Sequence, residues 1–231
     1  MTNSNTAVAD QTPGGSNTGR QSAGSSSPVL RLFAHLFSYV FHPLFITTYV
    51  MGFLIFIHPF AFAGFEHKIK VLRFLHIVLF NALFPLFSVF LLWRLNFVSS
   101  MQLRTVKDRI IPYLITMIFY WWSWNVFKHL RDSPPVAVHF LLGAFLAICG
   151  GWLANIYFKI SMHAIAMGGA LMFFFLFSFN DAYASGLYLS VALLATGLVL
   201  TSRLLLGAHS NFEIWSGLFV GLLAQYVAWQ F

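Results

Sequence analysis

Near the end of the chain, the run Ser202-Arg203-Leu204-Leu205-Leu206-Gly207-Ala208-His209-Ser210-Asn211-Phe212-Glu213 sets a guanidinium, an imidazole and a carboxylate between two apolar stretches. Arg203 is a permanent planar cation suited to phosphoryl oxygens, and His209 changes charge near neutrality. Glu213 follows His209 at i+4, so on a helix its carboxylate can reach the imidazole. A carboxylate bonded to one ring nitrogen leaves the other as an aimed lone pair, which is what nucleophilic catalysis by histidine needs. The same residues fit a plainer use, because polar groups at the end of a membrane span also cap helices or snorkel to headgroups.

Two other polar clusters stand at the edges of apolar runs. Arg104-Thr105-Val106-Lys107-Asp108-Arg109 carries three cations within six residues, either a dianion site or an ordinary basic loop. Lys159-Ile160-Ser161-Met162-His163 is the second. Arg109 and His163 are 54 positions apart, and His163 and His209 are 46 apart. Each interval holds two spans of about 20 residues, so all three clusters must face the same leaflet.

The three clusters together resemble the type 2 phosphatidic acid phosphatase superfamily. Ser202-Arg203, five residues, His209, three residues and an acid follow its third signature, S-R-x5-H-x3-D, with Glu213 at the acid position. Ser161 and His163 match its second, P-S-G-H, with Met162 in place of the glycine. Arg109 corresponds to the arginine of the first, K-x6-R-P. Here Gln102 stands where the lysine would be, the proline is Pro112, three residues on, and Lys107 or Arg104 is the substitute cation.

The resemblance implies that His209 attacks phosphorus to form a phosphohistidine, Glu213 orients it, and His163 protonates the leaving oxygen. Arg203 and Arg109, with Lys107 or Arg104 and the signature serines Ser161 and Ser202, would bind phosphate. It implies no metal or other cofactor, and a site on the outer, periplasmic face of a bacterial cytoplasmic membrane. The flanking cations outside the clusters are too evenly divided to fix orientation.

Composition determines the setting. Of 231 residues, 59% are hydrophobic and 8% charged, against about 25% charged in soluble domains. This is an all-α integral membrane protein, a bundle of about six to seven transmembrane helices. The net charge of +7 is scattered among spans, which excludes a nucleic-acid surface. Cys149 is the one cysteine, so no intrachain disulfide or cysteine metal site exists. Residues 1–28, rich in Ser, Thr, Asn and Gly, read as a disordered tail without the pattern of a secretory signal, ahead of a single membrane domain over 29–231. The stretch 28–41 suits an amphipathic entry helix lying along the interface, and spans are expected at 44–62, 74–93, 111–127, 136–158, 164–179, 186–206 and 212–229. Pro85 should kink the second. Gly143, Gly150 and Gly151 should let the fourth approach its neighbours closely.

The expected function is hydrolysis of a lipid phosphate or polyprenyl diphosphate, with membrane lipids as surroundings. Two other classes fit the sequence. One is an altered member of the same group that binds or assembles without turnover. The other is a b-type haem protein using axial ligands among His42, His58, His76, His139, His163 and His209.

Overall fold

Long apolar runs have no water to bond with in a bilayer, so each closes its backbone hydrogen bonds within itself as a helix. The computed structural model describes residues 27–101, 105–180 and 186–231, and within them the chain is all-α with no strand. The polar tail expected over 1–28 lies outside the described residues as far as position 26.

Helix α1 (Pro28–Val40) begins on a proline in its first turn, where no N–H is missed. Its apolar face, with Val29, Leu32, Phe33 and Leu36, is exposed, while Ala34 and Ser38 are buried. It meets α2 (Pro43–Gly52) at a 61° bend. Pro43 sets that bend by holding His42 in extended backbone, and the His42 Nδ1 caps α2 by accepting the Leu44 N–H at 3.4 Å. A helix over this stretch and the break at 42–43 match expectation, but the first span's end does not. α2 runs through a π turn (Phe53–Ile57) and stops at His58, short of 62. Pro59 disfavours helix at the residue before it, and the His58 ring accepts the Ala61 N–H at 3.0 Å instead.

Helix α3 (His67–Ile77), a π turn (Val78–Leu83) and α4 (Phe84–Arg94) form one rod of 28 residues. Lys68, Lys70 and Arg73, expected in a connection, lie in its first turns. Pro85 has no N–H for the carbonyl of Asn81, four residues earlier. The π turn loosens the ladder there, and the Tyr120 hydroxyl donates to that carbonyl at 3.1 Å. A borrowed donor and a wide turn thus stand where a kink was expected.

After a short 3-10 turn (Lys107–Arg109) come α5 (Ile110–His129), α6 (Pro135–Asn155), α7 (Met162–Asn180), α8 (Gly186–Leu205) and α9 (Asn211–Ala228). Five helical rods are long and apolar enough to cross a membrane, or six if the bent α1–α2 pair is one broken span. α9 is not among them, because Glu213, Ser216 and Gln225 dilute its apolar run; it packs against α6 and α7.

Small residues decide how closely these helices approach. A Cβ on Gly217 would lie 2.8 Å from the Ser161 carbonyl oxygen, and one on Gly221 would collide with the Ile165 carbonyl and the Gly169 nitrogen. Gly143, Gly150 and Gly151 do the same for α6, leaving room for Gln225, Val220 and Ile165 respectively. The densest apolar packing, around Met51, Leu54, Phe127, Leu141 and Phe173, sits beneath the half of the bundle that carries the polar clusters. Replacing Gly221 by Ala should destabilise the protein by roughly 1–3 kcal/mol, since backbone must move. Gly197→Ala, with nothing within 4 Å of the new carbon, should be neutral or slightly stabilising. Thermal unfolding of both variants in detergent makes the comparison.

Candidate active site

The site is built at the junction of α8 and α9. Gly207 has φ +59°, the left-handed conformation that glycine adopts without strain. The Ala208 N–H then bonds the Arg203 carbonyl at 3.2 Å and the Gly207 N–H bonds the Leu204 carbonyl at 2.9 Å, the paired pattern of a Schellman turn. That turn stops α8 and brings His209 back toward Arg203. Ser210 next caps α9: its hydroxyl accepts the Glu213 N–H at 3.3 Å, and Glu213 Oε2 accepts the Ser210 N–H at 3.2 Å.

The same carboxylate oxygen accepts a hydrogen bond from His209 Nδ1 at 2.7 Å. Capping and orienting, which the sequence offered as alternatives, are therefore one arrangement. A carboxylate only accepts, so Nδ1 carries the hydrogen and Nε2 is left as the lone pair. The His209 side chain is 3% exposed. Burial is the largest influence on it and lowers its pKa below the usual 6.5; the bond to Glu213 opposes that, and the Arg203 and Arg109 cations add to the lowering.

Arg109 and His163 reach the same place from α5 and α7. Arg109, 4% exposed, donates from Nη1 to the Ile160 carbonyl at 2.9 Å. Ser161 caps α7 by accepting the Ala164 N–H at 3.4 Å, and its own N–H donates to the Glu213 carbonyl at 3.3 Å. His163 donates from Nε2 to the Ser38 carbonyl at 3.1 Å, and the Ser38 hydroxyl accepts from Arg203 Nη1 at 3.4 Å. Ser38 lies in the last turn of α1, where carbonyls have no partner within the helix.

These groups open onto one cavity of about 970 Å³. Arg109, Lys159, His163, Arg203 and His209 line its polar end, with His35 and His42 on the α1 side. Among the described residues no carboxylate lines it. The three polar clusters do share one end of the bundle, as their spacing requires.

Other expected residues stand elsewhere. Lys107 is exposed and away from the cavity, Arg104 is outside the described residues, and Ser202 turns into its own helix, bonding the Leu198 carbonyl at 2.7 Å. Ser161 acts through its backbone and as a cap, without lining the cavity. Lys159 lines the cavity in their place. Ser38 is not among the residues the sequence singles out, and His42 enters there only as a candidate haem ligand, although a signal for both was present. His35, Ser38, Tyr39 and His42 fall at i, i+3, i+4 and i+7, a polar stripe on an apolar helix, and all four line the cavity.

The arrangement joins a lone pair on a buried imidazole, three cations able to hold a dianion, and a second histidine beside them. No protein-family model, no curated protein and no solved structure matches this chain.

Proposed function

We propose that the protein is a membrane-embedded phosphatase acting on a phosphorylated lipid through a phosphohistidine. The observation that carries this reading is the 2.7 Å bond from His209 Nδ1 to Glu213 in a cavity that Arg203, Arg109 and His163 also line. His209 Nε2 attacks phosphorus, forming an N–P bond as the P–O bond to the lipid breaks. The electron pair passes to the lipid oxygen, which takes a proton from His163. Arg109, Arg203 and Lys159 neutralise the charge on the three remaining oxygens, the electrostatic task that dominates phosphoryl transfer. Water then attacks phosphorus, His163 takes its proton back from that water, and the N–P bond breaks to release phosphate.

His163 Nε2–H is committed to the Ser38 carbonyl, so proton transfer to the lipid oxygen has to pass through Nδ1, which bears a hydrogen only in the imidazolium form. The apolar depth of the cavity favours a substrate whose hydrocarbon part stays in the membrane. The reading carries the site on the periplasmic face of a bacterial cytoplasmic membrane, with α9, shielded along α6 and α7 as far as Trp229 beside His139, taking the C-terminus to the cytoplasm; a fluorescent reporter fused to the C-terminus should then be bright inside cells, and one active only outside would reverse the orientation.

The direct test is release of inorganic phosphate from a panel of phosphatidate, phosphatidylglycerol phosphate and polyprenyl diphosphate in detergent without divalent metal. Turnover of none of them would remove the reading in favour of a binding or assembly role.

Wild-type kcat/KM should fall on the acid side with an apparent pKa below 6.5, because protonation of His209 removes the attacking lone pair. Glu213→Gln should lower the rate by roughly 10²–10⁴-fold and move that limb to still lower pH, since the carboxylate is what raises the His209 pKa. Glu213→Asp should lose about tenfold or more and about 0.5–2 kcal/mol of stability, because one oxygen serves both the cap and the imidazole and the shorter side chain cannot reach both. An unshifted acid limb in Glu213→Gln would remove Glu213 from the mechanism.

His163→Ala should slow lipid phosphates by roughly 10²–10⁴-fold while leaving an activated aryl phosphate nearly untouched, because such a leaving group departs without a proton. Equal losses on both substrates would make His163 a binding or structural residue.

A further inference from the structure

The cavity extends well beyond its cationic mouth. Along α5 its lining runs from Arg109 to Tyr120, eleven residues, or about 16 Å at 1.5 Å per residue. On α9 it reaches Gln225, twelve residues below Glu213 and about 18 Å deep. On α6 it ends at Phe140, whose ring packs against Phe173 at 4.8 Å in the dense core. These depths agree with one another and equal little more than half of a hydrocarbon layer of about 30 Å.

A space of about 970 Å³ is far larger than the voids a close-packed interior leaves, and it opens at its cationic mouth. The walls below the mouth are apolar, with Ile46, Leu86, Val89, Ala144, Ile148 and Ala166. Most polar groups there are bonded to the protein itself. The Tyr120 hydroxyl is shared between Thr47 at 3.3 Å and the Asn81 carbonyl at 3.1 Å, and Thr116 bonds the Pro112 carbonyl of its own helix at 2.7 Å. The Gln225 amide nitrogen bonds the His139 carbonyl at 3.2 Å, and its oxygen lies over Gly143 on α6. The Gln225 oxygen and the Tyr113 hydroxyl are the lining side-chain groups below the mouth left without a hydrogen-bond partner among the described residues, too few to hold a polar headgroup in the lower half.

We propose that this cavity draws one hydrocarbon tail of the phosphorylated lipid inside the bundle, and that its floor of Tyr120, Phe140 and Gln225 sets the longest tail accepted. The inference rests on the reading of the mouth as a phosphate site. It makes the protein selective by length, with a tail about one leaflet deep filling the space and a long polyprenyl chain overrunning it. Filling the lower half from its side should therefore shorten the preferred tail. Ala144 lies one turn above Phe140 on α6 and faces the cavity without belonging to the phosphate site.

The test uses the full chain in one detergent, with thermal stabilisation by saturated alkyl phosphates of graded length and by the matching alkyl alcohols. For the wild type, stabilisation by the phosphates should rise with length and then fall once the tail exceeds the depth of the cavity. In Ala144→Leu the maximum should move to tails shorter by about one helical turn, ~5 Å. Ala144→Val, a smaller step, should move it less, and serves if the leucine variant does not fold. An unbroken rise with length, or the same maximum in wild type and variants, would overturn the tail pocket. A maximum that shifts with the variants but is equal for phosphates and alcohols would keep the tail pocket and remove the phosphate reading of its mouth.

Discussion

The hydrogen bond from His209 to Glu213 is the interaction on which the arrangement depends. Glu213 Oε2 accepts from His209 Nδ1 and from the Ser210 N–H that starts α9, while the Glu213 carbonyl accepts from the Ser161 N–H that starts α7. One residue thus fixes the tautomer of the imidazole, caps one helix and ties it to another. The tie holds because Gly217 and Gly221 let α9 lie against the backbone of α7 with no side chain between them. His163 follows two residues after Ser161, so the position of the second histidine depends on the same contact.

Holding guanidinium groups among membrane helices is unfavourable unless each finds partners and a countercharge. Here helix ends supply the partners. Arg109 donates to the Ile160 carbonyl just before α7, and Arg203 donates to Ser38 at the end of α1. Glu213 is the acid within electrostatic reach of Arg109, so the cluster as a whole keeps an excess of positive charge. A bound dianion would remove that excess. The lowered pKa of His209 has the same origin, since burial and two nearby cations outweigh its carboxylate partner and leave Nε2 unprotonated at neutral pH.

Much of this was legible in the sequence because the decisive relations are local. His209 and Glu213 meet through an i+4 spacing, and Gly207 marks the turn that ends α8. The parity of the three clusters follows from span lengths alone. What was not legible depends on other helices. The carbonyl freed by Pro85 is satisfied by Tyr120, 35 residues further on, which no local pattern announces. The sequence offered Lys107 or Arg104 as the further cation; Lys107 is exposed and does not line the cavity, whereas Lys159 does, and which way a short loop faces is not a local property. Ser38 meets His163 through its backbone carbonyl, a group every residue carries, so only its hydroxyl, which accepts from Arg203, and its place in the polar stripe of α1 could have marked it.

The central claim is that His209 becomes covalently bonded to phosphorus. The most direct measurement is acid quenching avoided in favour of a rapid alkaline quench during turnover of a radiolabelled lipid phosphate, followed by peptide mass spectrometry. The account predicts a base-stable, acid-labile phosphoryl group on the peptide containing His209, absent from the His209→Ala protein. Turnover with phosphate released at a normal rate from His209→Ala, or a phosphoryl group found on another residue, would contradict it.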